Sequence, residues 1–369
     1  MTRMLLRPTL GLAATLVAAV LLVSGFAASP VAVSVPRPTG ALPDKGGLKA
    51  PSTSPSSRTH KAATCPRGRA KACRWYVDNS PFNTKIGAHP AIDPNSNLMV
   101  QRMSESGGFL LAVKRWSVPV YYAGAGTKRY NVRMSGSGLT AYRVPIPANA
   151  WPSAPFPPEE TDGAMMIVNR KTGCEYDFWE ARKHADGSWA ARGVNRIRTG
   201  TDGIYDRGAS ARGSGFALGA GLIRPEELKA GAIRHALVFS LPSEYVKGGG
   251  PVLPATESDG QSALEGAIPE GARVQLAPSF DVKTLEHPWE RTIARALQVY
   301  GMYLADRGGG GVGLVAQNPQ SYPRNPYHWG DGNYVYLPSK LISSMLVLKL
   351  PPQYKPTTRL LPSRCGVIR

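Results

Sequence analysis

The stretch EYDFWEA, Glu175 to Ala181, sets Glu175, Asp177 and Glu180 within six positions, interleaved with Tyr176, Phe178 and Trp179. Paired carboxyls can divide acid–base work, one held protonated to donate and the other ionised to attack or to stabilise positive charge. On a strand, alternation sends Glu175, Asp177 and Trp179 to one face and Cys174, Tyr176 and Phe178 to the other. Glu180 then falls on the wrong side, and one bulged residue between Asp177 and Glu180 is required to bring it back.

With that bulge the acids span roughly 13 Å of strand at ~3.3 Å per residue. Two leaning Glu side chains then approach the ~5–5.5 Å carboxyl separation of a retaining glycosidase. Asp177 between them crowds like charges together and raises the pKa that a general acid needs. Trp179 offers a flat apolar face for a sugar ring. A half-buried strand whose polar face carries acids explains the same run without any chemistry, and a binding cleft without turnover is a third reading.

These residues resemble the E-x-D-x-x-E signature of the concanavalin-like β-jelly-roll glycoside hydrolases. That group includes laminarinase-type and licheninase-type endo-β-glucanases and a cellobiohydrolase type with an E-x-D-x-W-E-A run. The resemblance covers residues 175–181 of 369. It implies Glu175 as nucleophile, Asp177 as assisting acid and Glu180 as general acid/base.

Nine short runs rich in β-branched and aromatic residues, bounded by Gly, Pro, Asn and Asp, are candidate strands to position this site. They are SVPVYYA, YNVRM, AYRVPIP, AMMIVN, CEYDFWEA, GSWAARG, HALVFSL, ARVQLAP and YVYLP. NRKTG reads as the turn of a hairpin that joins AMMIVN to CEYDFWEA. The fold class expected is all-β, a jelly-roll or β-sandwich with one or two accessory helices. Ile293, Leu297, Tyr300 and Leu304 form an apolar stripe that predicts a helix from Pro288 to the glycines at 308, and PEELKAG predicts a shorter one from Pro225.

Around this core, residues 1–27 read as a signal peptide: Arg3 and Arg7, an apolar run from Leu10, and a small-residue cut after Ala27. An uncleaved anchor is the alternative. Residues 28–74 are Pro-, Ser- and Lys-rich and read as a disordered basic linker; the β domain runs over 75–350 and a tail over 351–369. Export makes disulfides available to Cys65, Cys73, Cys174 and Cys365. Pairing Cys65 with Cys73 would leave Cys174 to Cys365, one of three arrangements.

The net charge of +19 favours anionic polymers, yet the basic residues are scattered and form no nucleic-acid signature. The partners expected are a polysaccharide or an anionic cell-wall polymer, with no nucleic acid, no stable membrane insertion after signal cleavage, and a monomeric state. The location expected is extracellular, in or near a cell wall.

Further candidate contacts are His235 at the head of HALVFSL and Tyr327, His328 and Trp329 in NPYHWGDG. Each has a plainer reading, as a hydrogen-bonded strand-end histidine and as a loop packed on the domain. Asp259, and Asp202 with Asp206, lie in Gly-rich loops where calcium is conceivable, although Asx turns account for them. No cofactor or metal is assigned. The function expected is a secreted retaining glycoside hydrolase. The alternatives are a polysaccharide lyase using His235 or a Tyr as base, and a non-catalytic wall-binding protein.

Overall fold

The computed structural model describes residues 74–153, 162–206, 210–330, 332–356 and 365–366. The expected signal peptide (1–27), all of the expected linker but residue 74, and Cys65 and Cys73 lie outside the described residues. No helix among the described residues is long and apolar enough to cross a membrane.

Helix α1 (Ser96–Glu105) leads into strand β1 (Gly108–Ala112). There follow β2 (Val120–Ala123), β3 (Arg129–Met134), β4 (Thr140–Pro145), β5 (Met165–Asn169), β6 (Cys174–Trp179), β7 (Arg182–Lys183), β8 (Trp189–Ala191) and β9 (Gly193–Arg198). The short helix α2 (Pro225–Lys229) precedes β10 (Leu237–Leu241) and β11 (Arg273–Leu276). Helix α3 (Pro288–Val299), β12 (Met302–Arg307), β13 (Gly311–Val315), β14 (Tyr334–Leu337), α4 (Lys340–Ser343) and β15 (Met345–Val347) complete the order.

Most regular structure is thus strand, as expected, and it forms three sheets. The first has seven strands in the order β14-β1-β13-β10-β12-β11-β15; the second is β2-β5-β6-β9 and the third β4-β3-β8-β7. The pairs β1–β13, β10–β12, β2–β5 and β3–β8 are parallel. Three apolar clusters separate four layers. Leu111, Phe239, Leu304 and Leu314 of the first sheet pack with Met103, Ile293 and Leu297 of the helices. Val238, Tyr303 and Ala305 on the opposite face meet Val120, Met166 and Val168 of the second sheet. Tyr121, Ile167, Tyr176 and Phe178 on that sheet's far side meet Val132, Val144 and Trp189 of the third. Alternate residues of one strand therefore serve two different cores.

Every one of the nine candidate strand runs contains a strand, and AMMIVN and CEYDFWEA pair antiparallel as β5 and β6. Helix α3 corrects the expected length. It stops at Val299, and the Gly301 N–H returns to the Ala296 carbonyl with Gly301 at φ 69°. That left-handed residue closes the helix early, so Leu304 belongs to a strand and the apolar stripe ran on across two elements.

Cys174 at the start of β6 is disulfide-bonded to Cys365, 191 residues away. The Tyr176 hydroxyl also donates to the Cys365 carbonyl at 3.2 Å.

Candidate functional site

Strand β6 is regular. It pairs in unbroken register with β5 and with β9 from Cys174 to Phe178, and Trp179 pairs with Gly193. Alternation therefore holds: Tyr176 and Phe178 face the third sheet, while Glu175 and Asp177 face the first. Both acids are at 0% exposure. The expected bulge is absent. Glu180 instead leaves the ladder with φ 49° and turns to its surface neighbours, 3.5 Å from Arg192 and 4.0 Å from Arg182.

Glu175 and Asp177 belong to an internal polar network. The Tyr76 hydroxyl lies 3.0 and 2.9 Å from the two oxygens of Glu175, and the Gly219 N–H donates to Oε1 at 3.0 Å. Asp177 Oδ2 accepts from the Tyr205 hydroxyl at 3.2 Å and from the Leu218 N–H at 2.8 Å. Arg212, close enough for its charge to favour ionised Asp177, holds the covering loop by donating to the carbonyls of Ala217, Leu218 and Ala220. Burial, and then the charge of Asp177, push the Glu175 carboxyl well above its usual range. Burial pushes Asp177 up to about 6, against the Leu218 N–H and Arg212 that favour its ionised form. The trio that a glycosidase needs in one open groove is thus not assembled: two acids are sealed and the third points elsewhere.

His235 is also internal. Its Nε2 lies 3.0 Å from Glu227 Oε1, and Nδ1 lies 2.9 Å from the Ala236 carbonyl. Arg224 shares the same carboxylate at 2.6 Å. Burial pushes the Glu227 carboxyl up, but Arg224 and then His235 outweigh it and hold the group near about 2. Tyr327 stacks on Trp329 with ring centres 4.3 Å apart and donates to the Gln317 carbonyl at 2.7 Å. Both pack against the helix-side core, and His328 beside them is exposed. These are the plainer readings of those residues.

A cavity of about 400 Å³ lies along the first sheet's inner face, bordered by Phe178 and Trp179 of the second sheet, and Trp179 is the one predicted residue that lines it. Tyr336, Leu110, Gly313, Ser240 and Asp306 form a single row across β14, β1, β13, β10 and β12. All five line the cavity. A bulge places the last of them: Phe239 stands opposite Leu304 but Ser240 opposite Asp306, so Ala305 is the extra residue. Bulges re-aim side chains in this way, and the device predicted for β6 is found in β12.

At Gly313 a Cβ would stand 2.8 Å from Ser240 Oγ, so only a residue without a side chain leaves this floor flat. Trp116, Trp179, Tyr334 and Tyr336 contribute aromatic surface around the floor, with Tyr336 at 66% exposure. Arg192 lies over the Trp179 ring at 4.7 Å, a cation–π contact.

Sequence reading missed Trp116, Ser240, Asp306, Tyr334 and Tyr336. The one available signal was the i, i+2 spacing of the two tyrosines in YVYLP, which puts both on one strand face. Comparison with protein-family models, with curated proteins and with solved structures gives no match for this chain.

Proposed function

We propose that this protein is an exported polysaccharide-binding protein that lays a glycan chain along the inner face of its seven-stranded sheet. The observation that carries the reading is the cleft itself, a side-chain-poor floor between aromatic rings with a polar end at Ser240, Asp306 and Arg307. A concave site of this volume, mostly apolar with a few convergent polar groups, is the usual form of a small-ligand or oligomer subsite. Sugars match it because each ring offers one flat apolar face and a polar rim. Large exposed aromatics gathered at one place mark a binding surface.

On this reading the stacked sheets act as a β-sandwich with the ligand on one sheet face, and the four parallel strand pairs among the described residues depart from the antiparallel order of a jelly roll. The parallel pairs give it a strand order of its own. The disulfide between Cys174 and Cys365 supports an oxidising, extracellular setting. The net charge of +19 favours an acidic polymer. Hydrolysis through Glu175 and Glu180 forms no part of the proposal, because Glu175 has no path to a sugar.

Affinity electrophoresis through gels containing neutral β-glucans or polyuronates tests the reading. Retardation by at least one polymer is expected, and Trp179→Ala and Tyr336→Ala should each weaken it about tenfold. No reducing ends and no unsaturated-uronate absorbance should be released. Migration unchanged across the whole panel would remove the proposal, and polymer cleavage would replace binding with turnover.

A further inference from the structure

Three acids from separate parts of the chain converge beside the polar end of the cleft. Asp259 lies in the loop after residue 256, Glu270 lies ahead of β11, and Asp306 lies near the end of β12. One carboxylate oxygen from each lies within 4.8 Å of the other two.

The state of these oxygens is what distinguishes the cluster from a solvated acidic patch. Glu270 is wholly buried; its Oε2 accepts the Asp259 N–H at 2.9 Å, while Oε1 has no hydrogen-bond partner among the described residues. Arg307 Nε holds Asp259 Oδ2 at 2.8 Å, and Oδ1, itself buried, has no partner among them. Asp306 Oδ1 receives the Arg307 N–H at 3.0 Å and a longer bond of 3.4 Å from the Gly213 N–H.

The unpartnered oxygens of Asp259 and Glu270 converge. A Cβ at Gly213 would stand 2.7 Å from each. Gly213 does not adopt a left-handed conformation, so the backbone does not demand glycine there; the room between the oxygens does. Buried carboxylate oxygens without donors are costly, and acids taken from water are paired, protonated or bound to metal. Arg307 pairs with one of the three acids, and Arg212 is committed to carbonyls.

We propose that Asp259, Glu270 and Asp306 bind a calcium ion, with water completing the coordination. The donor set is oxygen alone, which selects a hard cation. An irregular trio drawn from a loop and two strand ends suits the flexible shell of calcium better than the strict octahedron of magnesium. The ion would join the loop around Asp259 to β12. Sequence reading entertained calcium at Asp259 and, in another loop, at Asp202 and Asp206; the structure gives Asp259 the companions Glu270 and Asp306.

The test uses the full chain, stripped with chelator and dialysed against calcium or magnesium. Equilibrium dialysis should find one calcium per chain. Saturation to about a hundred times Kd should raise Tm by about 4 °C. Asp259→Asn, at a half-exposed position, should weaken binding at least tenfold, and Glu270→Gln should do the same if it folds. Less than about a tenth of an ion per chain, or calcium bound equally by the wild type and Asp259→Asn, would overturn the site. Binding of magnesium alone would overturn the choice of ion. None of these results depends on polysaccharide binding.

Discussion

Ser240 on β10 stands opposite Asp306 on β12, with Ala305 taken up in a bulge between their pairing and that of Phe239 with Leu304. This one extra residue ends the row that floors the cleft with a carboxylate. It also ties the cleft to the acidic cluster at Asp259 and Glu270.

Filling the floor should close the cleft with little harm to the fold. In Gly313→Ala the new methyl meets Ser240 Oγ at 2.8 Å and Leu110 Cδ1 at 3.4 Å, and Ser240 can rotate away. Stability should change by about 1 kcal/mol or less, while retention on the bound polymer falls about tenfold. Measuring Tm beside affinity electrophoresis separates the two effects. Unchanged retention would place the glycan elsewhere.

Glu175 should behave as a structural acid. Burial and Asp177 favour its protonated form, so Glu175→Gln keeps the shape and the neutral charge and should fold with near wild-type stability. Glu175→Ala strands the Tyr76 hydroxyl and the Gly219 N–H in a sealed interior and should cost about 2–4 kcal/mol. Urea denaturation of both variants checks this. Equal losses would show that the ionised charge matters.

The same network sets a pH dependence. Asp177, faced by Glu175, Tyr76, Tyr205 and Arg212, titrates at about 6 in the folded chain against 3.8 for a free carboxyl. A raised carboxyl makes the folded state hold its proton longer, so its contribution is nil below about pH 4. The contribution turns unfavourable between about 4 and 6 and stays so above. The full effect is about 3 kcal/mol at 1.36 kcal/mol per pKa unit. Glu227 works oppositely: held near about 2 by Arg224 and His235, it stabilises above about pH 4.5 and loses that as pH falls. Chemical denaturation of wild type and Asp177→Asn from pH 4 to 7 should show the wild type alone losing this increment. Parallel profiles would exclude a raised Asp177.

Reducing the link between Cys174 and Cys365 should lower stability by about 2–5 kcal/mol, since it closes a very long loop in the unfolded chain. Thermal unfolding with and without reductant, compared with Cys365→Ser, gives the magnitude. A reductant effect that persists in Cys365→Ser would come from a disulfide that involves Cys65 or Cys73.

The sequence by itself determined nine of the fifteen described strands, because runs such as AMMIVN and YVYLP carry a strong local preference bounded by turn residues. It also determined the β5–β6 hairpin and the faces of β6, which follow from alternation alone. Local preference did not reveal β1, β7, β9, β12, β13 or β15; Leu304 in β12 read as part of a helix, and the glycines that lead into β13 as its stop.

Tertiary structure alone decided what the acids do. Alternation put Glu175 and Asp177 on one face but could not say what covers that face. Tyr76, Tyr205 and the Gly215–Gly219 segment, distant in the chain, cover it. The cleft and the oxygen cluster have the same origin: Tyr336, Gly313, Ser240 and Asp306, or Asp259 and Glu270, meet only through long-range strand order and one bulge. Such relationships leave no period in the sequence, because they are set by which surfaces pack together and not by the residues on either side.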